Sequence, residues 1–249
     1  MKILLTNDDG INADGIRAME KELRQIADVI TFAPDREQSA SSHSLTLSRP
    51  LRIVDRGDNR YTCDGTPTDC VMLAIHGILK HKNPDMIVSG INHGANMGED
   101  VTYSGTVAAA IEGSTMKIPS IAVSNIDAHN IESYRPAAKF IAKFIKQYGK
   151  LNLQSDIFLN INFPILENKR FSGYRITKLG RREYNDIVIE KTDPRGKHYY
   201  WIGGESTWDN IEGSDFEAVS DGFVSISPLK MNFTHKEAVD SMKSIKLQL

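Results

Sequence analysis

Short apolar runs alternate along this chain with longer stretches in which apolar residues recur at helical spacing. The run Ile3–Leu5 comes first, a helical pattern covers 15–27, and a second strand-like run covers 28–35. A strand, a helix and a strand in this order form a parallel pair with a right-handed crossover. The pattern predicts an α/β fold built on a parallel sheet.

The same alternation continues through most of the chain. Further strands are predicted at 50–55, 59–65, 85–90, 118–124 and 156–164, and helices at 67–79, 106–113 and 133–149. The last of these helices is expected to bury Phe140, Ile141, Phe144 and Ile145 and to stop at Gly149.

The residue pattern changes from about Phe171, where polar residues alternate with β-branched and aromatic ones. This stretch predicts a long hairpin with its turn at 193–196, followed by a short helix and a strand within 214–229 and a closing helix at 235–249. The exposed aromatic positions Tyr199, Tyr200 and Trp201 favour contact with a partner subunit.

Composition and charge narrow the function classes. The 249 residues are 40% hydrophobic, which is enough for one large core, and 30 basic against 32 acidic side chains give a net charge of -2. Such a balance predicts no binding to nucleic acid and none to membranes. No signal peptide and no long apolar span is evident, so we expect a cytoplasmic protein whose two cysteines, Cys63 and Cys70, are buried free thiols.

Two carboxylates follow the first strand at once. Asp8 and Asp9 lie between Asn7 and Gly10, where a core strand leaves the sheet, and ligands of open α/β sheets bind beyond such carboxyl ends. An alternative interpretation is a simple turn, because Asn, Asp and Gly all suit turns. Asp8 and Asp9 are the first candidates for chemistry.

A serine-rich loop follows the second strand and is expected at the same sheet edge. It contains four serines within 39–44, and Ser39 or Ser41 could reach the acidic site, unless the loop is only a surface linker.

A third candidate lies in the stretch 85–113, where a buried strand is followed by a loop rich in Gly and Asn. Ser104, Gly105 and Thr106 then open a helix and offer free backbone N–H groups, hydroxyls and the positive end of the helix dipole. That combination favours a phosphate site over an ordinary N-cap, which remains the alternative.

If these segments converge, their oxygen donors form a site suited to Mg²⁺ or Mn²⁺. Such a metal beside an anion site indicates metal-assisted phosphoryl hydrolysis. The P-loop pattern and the GxGxxG pattern are both absent, which argues against nucleotide triphosphatases and dinucleotide oxidoreductases. An aspartyl-phosphate mechanism with Asp8 as nucleophile stays open.

Five segments of the chain together resemble the SurE family, the stationary-phase survival proteins that are metal-dependent 5'-nucleotidases. They are TNDDGINADGI, APDREQSASSHSLTL, GTPTDC, SGINHGANMGEDVTYSGTVAAAIEG and SISPL. The likeness covers nearly the whole chain, with only a loose match at 165–215.

The resemblance implies one divalent metal ion, Mg²⁺ or Mn²⁺, and a set of site residues. Its metal ligands correspond to Asp8, Asp9, Ser39 and Asn92, and its phosphate-binding residues to Asn96, Ser104, Gly105 and Thr106. Asp8, Asp9 and Asn96 are the expected catalytic residues, with Asp9 or Asp8 as the base. The implied substrates are nucleoside monophosphates, with 3'-nucleotides and short polyphosphate as further candidates.

The resemblance also implies a three-layer, Rossmann-like, mostly parallel sheet with a protruding hairpin. We expect 1–249 to form one domain, with the core at about 1–165 and the hairpin and C-terminal oligomerisation elements at about 170–249. A homodimer or homotetramer would exchange the C-terminal helix. A non-catalytic nucleotide-sensing module is the competing class, although two bare carboxylates would repel a phosphate unless a cation lay between them.

Overall fold

A computed structural model describes residues 1–80, 82–126, 130–166, 171–184, 187–203, 206–243 and 245. The strands are β1 (Lys2–Thr6), β2 (Asp28–Pro34), β3 (Ile53–Asp55), β4 (Arg60–Cys63), β5 (Met86–His93), β6 (Ser120–Asn125), β7 (Phe158–Phe163), β8 (Tyr174–Ile176), β9 (Arg182–Tyr184), β10 (Ile187–Thr192), β11 (His198–Gly203), β12 (Ser206–Trp208) and β13 (Val224–Leu229). The helices are α1 (Asp14–Leu23), α2 (Pro67–Leu73), α3 (Gly105–Thr115), α4 (Ile131–Ile145), α5 (Asp215–Ser220) and α6 (Lys236–Lys243).

One mostly parallel sheet organises the chain, and it confirms the predicted Rossmann-like α/β fold. Its strand order is β3-β4-β2-β1-β5-β6-β7-β13-β8, with antiparallel pairs only at β3/β4 and β13/β7. The chain passes from β1 to β2 on one side and later to β5 on the other side of β1. In α/β folds, ligand-binding crevices lie at such a reversal of strand order, beyond the carboxyl ends of the strands, which in this sheet are those of β1 and β5.

The alternation of side chains in β1 divides the core into two layers. Ile3 and Leu5 lie with α1 and α4 in one hydrophobic cluster, whereas Leu4 lies in a second cluster with residues of α2 and α3. Successive residues of a strand point to opposite faces, so a wholly apolar strand requires helices on both sides. The helices therefore cover both faces of the sheet.

Two of the predicted helices differ from expectation in detail. In α4, Ile141 and Ile145 are buried as predicted, but Phe140 and Phe144 are only partly buried and pack at the edge of the first cluster. The helix begins at Ile131, after an Asn130 capping box, and ends at Ile145, so it does not reach Gly149. The helix α2 begins at Pro67 as predicted, after a capping box of Thr66 and Asp69, but it ends at Leu73 and is continued by a π-helix at Ala74–Ile78.

The hairpin prediction is confirmed by the antiparallel pair β10/β11, which is joined by a turn at Asp193–Lys197. The closing helix is confirmed over Lys236–Lys243, while residues 244 and 246–249 lie outside the described part of the chain. Of the helices that the structure describes, none combines the length and the apolar character that crossing a membrane requires.

Candidate active site

The crevice beside β1 is shaped by local backbone at the ends of two strands. Thr6 pairs with Ser89, and the pairing of β5 with β6 shifts register between Ser89 and Asn92. Gly90 adopts a φ of +126°, and a Cβ there would overlap the carbonyl oxygen of Val123. The sequence predicts a strand that ends at Gly90, but β5 continues to His93 and so carries Asn92 to the sheet edge.

The acidic loop forms a turn that is held by hydrogen bonds. The Asn7 side chain donates through Nδ2 to the carbonyl oxygen of Gly10 at 2.9 Å, and Gly10 has a φ of +96°. The carbonyl oxygen of Asp8 accepts a bond from the Gln38 N–H at 2.7 Å. The loop is therefore fixed both internally and by the segment that carries the serines.

Asp8 is held by the first turn of α3. Its carboxylate accepts bonds from the backbone N–H of Thr106 at 3.1 Å and from the Thr106 hydroxyl. Only 4% of Asp8 is exposed, and burial raises the pKa of its carboxyl although the two Thr106 bonds act in the opposite direction. A carboxylate at a helix N-terminus is also favoured by the helix dipole.

Asp9 lies closer to solvent and has a different environment. The backbone N–H of His93 donates to Asp9 Oδ2 at 3.1 Å, which ties the first loop to the end of β5. Burial and the neighbouring Asp8 carboxylate raise the pKa of Asp9 to about 7. Two adjacent acidic groups at this edge create a strong negative potential.

Asn92 adds an amide oxygen to the two carboxylates, so that three side chains offer oxygen atoms at this edge. Its Nδ2 donates to the carbonyl oxygens of His93 and Gly94, at 3.1 and 2.9 Å, which leaves Oδ1 turned toward the Thr106 hydroxyl at 3.3 Å. Thr106 thus contacts both Asp8 and Asn92. The structure brings Asp8, Asp9 and Asn92 to the same edge of the sheet.

Ser39 lies on the neighbouring loop, but its side chain does not bond to this set. Its hydroxyl is exposed and donates to Glu37 Oε1 at 2.7 Å. Ser41 comes closer, because a Cβ placed on Gly105 would lie 2.7 Å from Ser41 Oγ and 2.9 Å from Asp8 Cβ. Ser41 Oγ is buried and has no hydrogen-bond partner in the part of the chain that the structure describes. Because a side chain at 105 would collide with Ser41, the glycine there allows the loop to approach α3.

The helix start at Ser104 is an N-cap, which was the alternative interpretation, and phosphate binding there stays a prediction. Ser104 is the N-cap and accepts a bond from the Val107 N–H at 3.1 Å, while the Thr106 hydroxyl and N–H are directed at Asp8. The positive end of α3 therefore faces the carboxylates directly.

Asn96 lies deeper, in a buried amide network. Its backbone N–H donates to Asn162 Oδ1 at 2.8 Å, its side chain donates to Ser124 Oγ at 2.8 Å, and its carbonyl oxygen accepts from Asn160 and Asn162. Asn160 and Asn162 are fully buried in β7. This network, which sequence reasoning missed, had one signal: asparagines alternating with apolar residues in a core strand.

Two further groups near the site were also missed. His43 Nε2 lies 2.7 Å from Glu112 Oε2, a contact that fixes the serine loop against α3. Tyr134 of α4 lies against Gly15, where an added Cβ would be 3.2 Å from its Cε1, and burial and the Asp9 charge raise the pKa of Tyr134 to about 12. Single polar residues on helices carry no sequence signal of such long-range contacts.

The donor set fits a hard divalent cation. Among the described residues no group of three or more His, Cys, Asp and Glu side chains could hold a metal ion. Carboxylates of Asp8 and Asp9 with the amide oxygen of Asn92 are instead the mixed oxygen ligands that suit Mg²⁺ or Mn²⁺, with open positions for water and substrate.

Comparison with known proteins adds an independent finding. The family model described as survival protein SurE matches residues 3–186. The 5'-nucleotidase SurE of Geotalea daltonii is 47% identical over 244 residues, which are 98% of either chain, and that of Citrifermentans bemidjiense is 46% identical over 248 residues, 99% of this chain and 100% of the other. The crystal structure of the SurE protein from Aquifex aeolicus superposes with a TM-score of 0.87 at 41% identity and covers 98% of both chains.

Proposed function

Because this chain belongs to the SurE family, we propose that it is a metal-dependent phosphohydrolase that removes the 5'-phosphate from nucleoside monophosphates. The observation that carries the proposal is the convergence of Asp8, Asp9 and Asn92 beside the N-terminus of α3. The relatives of similar length that are named 5'-nucleotidase support the substrate class. We extend the proposal to 3'-nucleotides and short polyphosphate, which present the same terminal phosphate.

Asp8, Asp9 and Asn92 would hold one Mg²⁺ or Mn²⁺, with Ser39 as a further ligand after its hydroxyl turns away from Glu37. A bound divalent ion would polarise the phosphate ester and make water more acidic. The first turn of α3, from Ser104 to Thr106, would stabilise the phosphate oxygens through the helix dipole.

Residues of the protein would accept the proton from water and position the phosphate. Asp9 is the better candidate to accept a proton from water, since Asp8 is locked by both Thr106 bonds and is nearly inaccessible. Asn96, held rigidly by β7, would position the phosphate with its amide.

The test is phosphate release from AMP, GMP, 3'-AMP and tripolyphosphate by protein stripped with EDTA and then resupplied with Mg²⁺ or Mn²⁺. We expect no release from the stripped protein and restored release after metal addition. A protein that binds nucleotide with either metal but releases no phosphate from any of these compounds would be a nucleotide sensor instead.

A further inference from the structure

The two cysteines of the chain form a buried pair outside the candidate active site. Cys63 ends β4 and Cys70 lies in α2, and their Sγ atoms are 3.4 Å apart. Their exposed fractions are 1% and 0%, and both thiols are free. Within the second core cluster the pair is surrounded by apolar side chains.

We propose that Cys63 and Cys70 form a reversible intramolecular disulfide when the protein meets a hydroperoxide, and that this bond lowers the activity of the neighbouring site. The modification itself follows from the geometry of the pair. Its effect on activity rests on the proposed nucleotidase function.

The geometry is close to that of a bonded pair without being one. Sulfur atoms in a disulfide are about 2.05 Å apart, so the two Sγ atoms must approach by more than about 1 Å. Only residues 64–69 separate the cysteines, and Gly65 lets this short connection pack closely against Asp69, because an added Cβ would lie 2.5 Å from Asp69 Oδ2. The approach draws the end of β4 toward the first turns of α2.

The two elements that would move hold the two ends of the serine loop. The carbonyl oxygen of Cys63 accepts a bond from the Asp35 N–H at 2.9 Å. Asp69, the neighbour of Cys70, accepts through Oδ1 from the Thr46 N–H at 3.0 Å. A shift of the cysteine pair is therefore transmitted to the segment 35–46, which contains Ser39 and faces Asp8.

The environments of the two thiols assign them different chemical roles. The hydrogen bond from Cys70 holds the pKa of the Cys63 thiol below its ordinary value, whereas burial raises the pKa of Cys70. Cys63 lies at the end of β4, whereas Cys70 lies inside α2 and is 0% exposed, so we assign Cys63 as the thiol that reacts first and Cys70 as the thiol that resolves the product.

The hydroperoxide is the only oxidant that the formation of this disulfide requires. The Cys63 thiolate attacks one peroxide oxygen, the O–O bond breaks, and an alcohol, or water from hydrogen peroxide, leaves with a proton. The Cys70 sulfur then attacks the resulting sulfenic sulfur, the S–O bond breaks, and hydroxide leaves with the Cys70 proton as water. Two thiols are oxidised and one peroxide is reduced.

The first measurement is the intact mass of the protein before and after hydrogen peroxide, with alkylation under denaturing conditions. We expect the loss of two hydrogen atoms and of both alkylation sites, with recovery of both after dithiothreitol. The assignment is unique because the chain contains 2 cysteines. A wild-type protein that keeps two alkylatable thiols, or joins two chains instead, would overturn the proposal.

The second measurement compares the oxidised and reduced proteins in function and in loop mobility. We expect phosphate release to fall by about tenfold after oxidation, since a displacement of about 1 Å at a site can cost up to about 100-fold. We also expect amide hydrogen exchange at Thr46 to be faster in the oxidised protein than in the reduced protein. This measurement does not depend on phosphate release. A disulfide that changes neither phosphate release nor exchange in 35–46 would contradict the regulatory effect.

Two variants serve as matched controls. Cys63→Ala and Cys70→Ala should keep the activity of the reduced wild type and lose its reversible sensitivity to peroxide. Persistent sensitivity in both variants would place the oxidised group elsewhere. If the reduced wild type released no phosphate from any nucleotide, the nucleotidase proposal would fail, while the mass and exchange measurements would still decide on the disulfide.

Discussion

At the scale of single residues, Thr106 is the link that organises the candidate site. Its N–H and hydroxyl hold Asp8, and the same hydroxyl faces Asn92 Oδ1 at 3.3 Å. These partners are separated by 98 and 14 residues in sequence. One side chain thus fixes the relative position of two metal-ligand candidates, one in the loop after β1 and one in β5.

Replacing Thr106 by valine keeps the shape of the side chain and removes the hydroxyl. We expect phosphate release to fall by about 10–100-fold, as for other residues that orient metal ligands. Steady-state kinetics measured across metal concentrations should show that Thr106→Val needs more metal to reach half of its maximal activity. Thr106→Ser, which keeps the hydroxyl, should retain most of the wild-type activity. Equal losses in the two variants would show that the hydroxyl does not act in this way.

Asp215 has a structural role at the same scale. Its buried carboxylate accepts backbone N–H bonds from Gly98, Gly180 and Phe216, at 2.9, 2.7 and 3.0 Å. Asp215→Asn replaces one acceptor oxygen by a donor, and we expect a loss of about 1–3 kcal/mol in the free energy of unfolding.

Urea denaturation of Asp215→Asn measures this loss, with Asp221→Asn as the control. Asp221 pairs with Arg175 at the surface, where an ion pair contributes only about 0–1 kcal/mol. If both variants lost the same stability, the buried network around Asp215 would not be the cause.

What the sequence could predict at the residue scale depended on proximity to a strand end. Asp8 and Asp9 were found because they follow a short apolar run directly, whereas Asn92, in the Gly- and Asn-rich stretch after another strand, was named by the family resemblance. The bonds that Thr106 makes and the contact between His43 and Glu112 join distant segments. Side-chain contacts of that kind depend on packing, which no local pattern encodes.

At the scale of elements, the sheet and its helices followed from hydrophobic periodicity, while their boundaries did not. The prediction ended the strand of β5 at Gly90, because Asn, His and Gly follow it. Pairing with β6 nevertheless extends β5 to His93 across a register shift. Tertiary pairing thus overrode local propensity at the point where the strand enters the candidate site.

The packing of α1 on β5 gives an element-scale prediction. A Cβ on Gly15 would overlap the carbonyl oxygen of Ile91, and the nearest Tyr134 ring carbon would lie at 3.2 Å. Gly15→Ala should therefore push α1 away from β5 and lower the free energy of unfolding by about 1–3 kcal/mol.

Thermal denaturation compares this variant with Gly149→Ala, at a position with nothing within 4 Å of the added Cβ. The control should change stability by less than about 1 kcal/mol. A Gly15→Ala protein as stable as the wild type would mean that α1 and β5 are not in such close contact.

At the scale of the whole molecule, two elements carry apolar side chains away from the core. Trp201 on β11 is 65% exposed, and α6 has no buried residue although Val239 and Met242 lie on it. Exposed apolar surface of this extent is typical of protein interfaces. We infer that these elements join subunits into a homodimer or homotetramer.

Light scattering coupled to size-exclusion chromatography measures the subunit number directly. We expect an oligomer for the wild type and a smaller species for Trp201→Glu, because a charge buried at an apolar interface weakens association. Lys197→Glu, in the exposed turn of the same hairpin, should leave the mass unchanged. A monomeric wild type would contradict the inference.

The central claim, that the acidic loop beyond β1 performs phosphate hydrolysis, is tested most directly by Asp9→Asn. The change keeps the size of the side chain and an oxygen facing the His93 N–H, but removes the charge. With AMP and saturating Mn²⁺ we predict that phosphate release falls by at least about 100-fold. Asp28→Asn, at the opposite end of the neighbouring strand, should match the wild type. Undiminished release by Asp9→Asn would contradict the account and place the chemistry elsewhere.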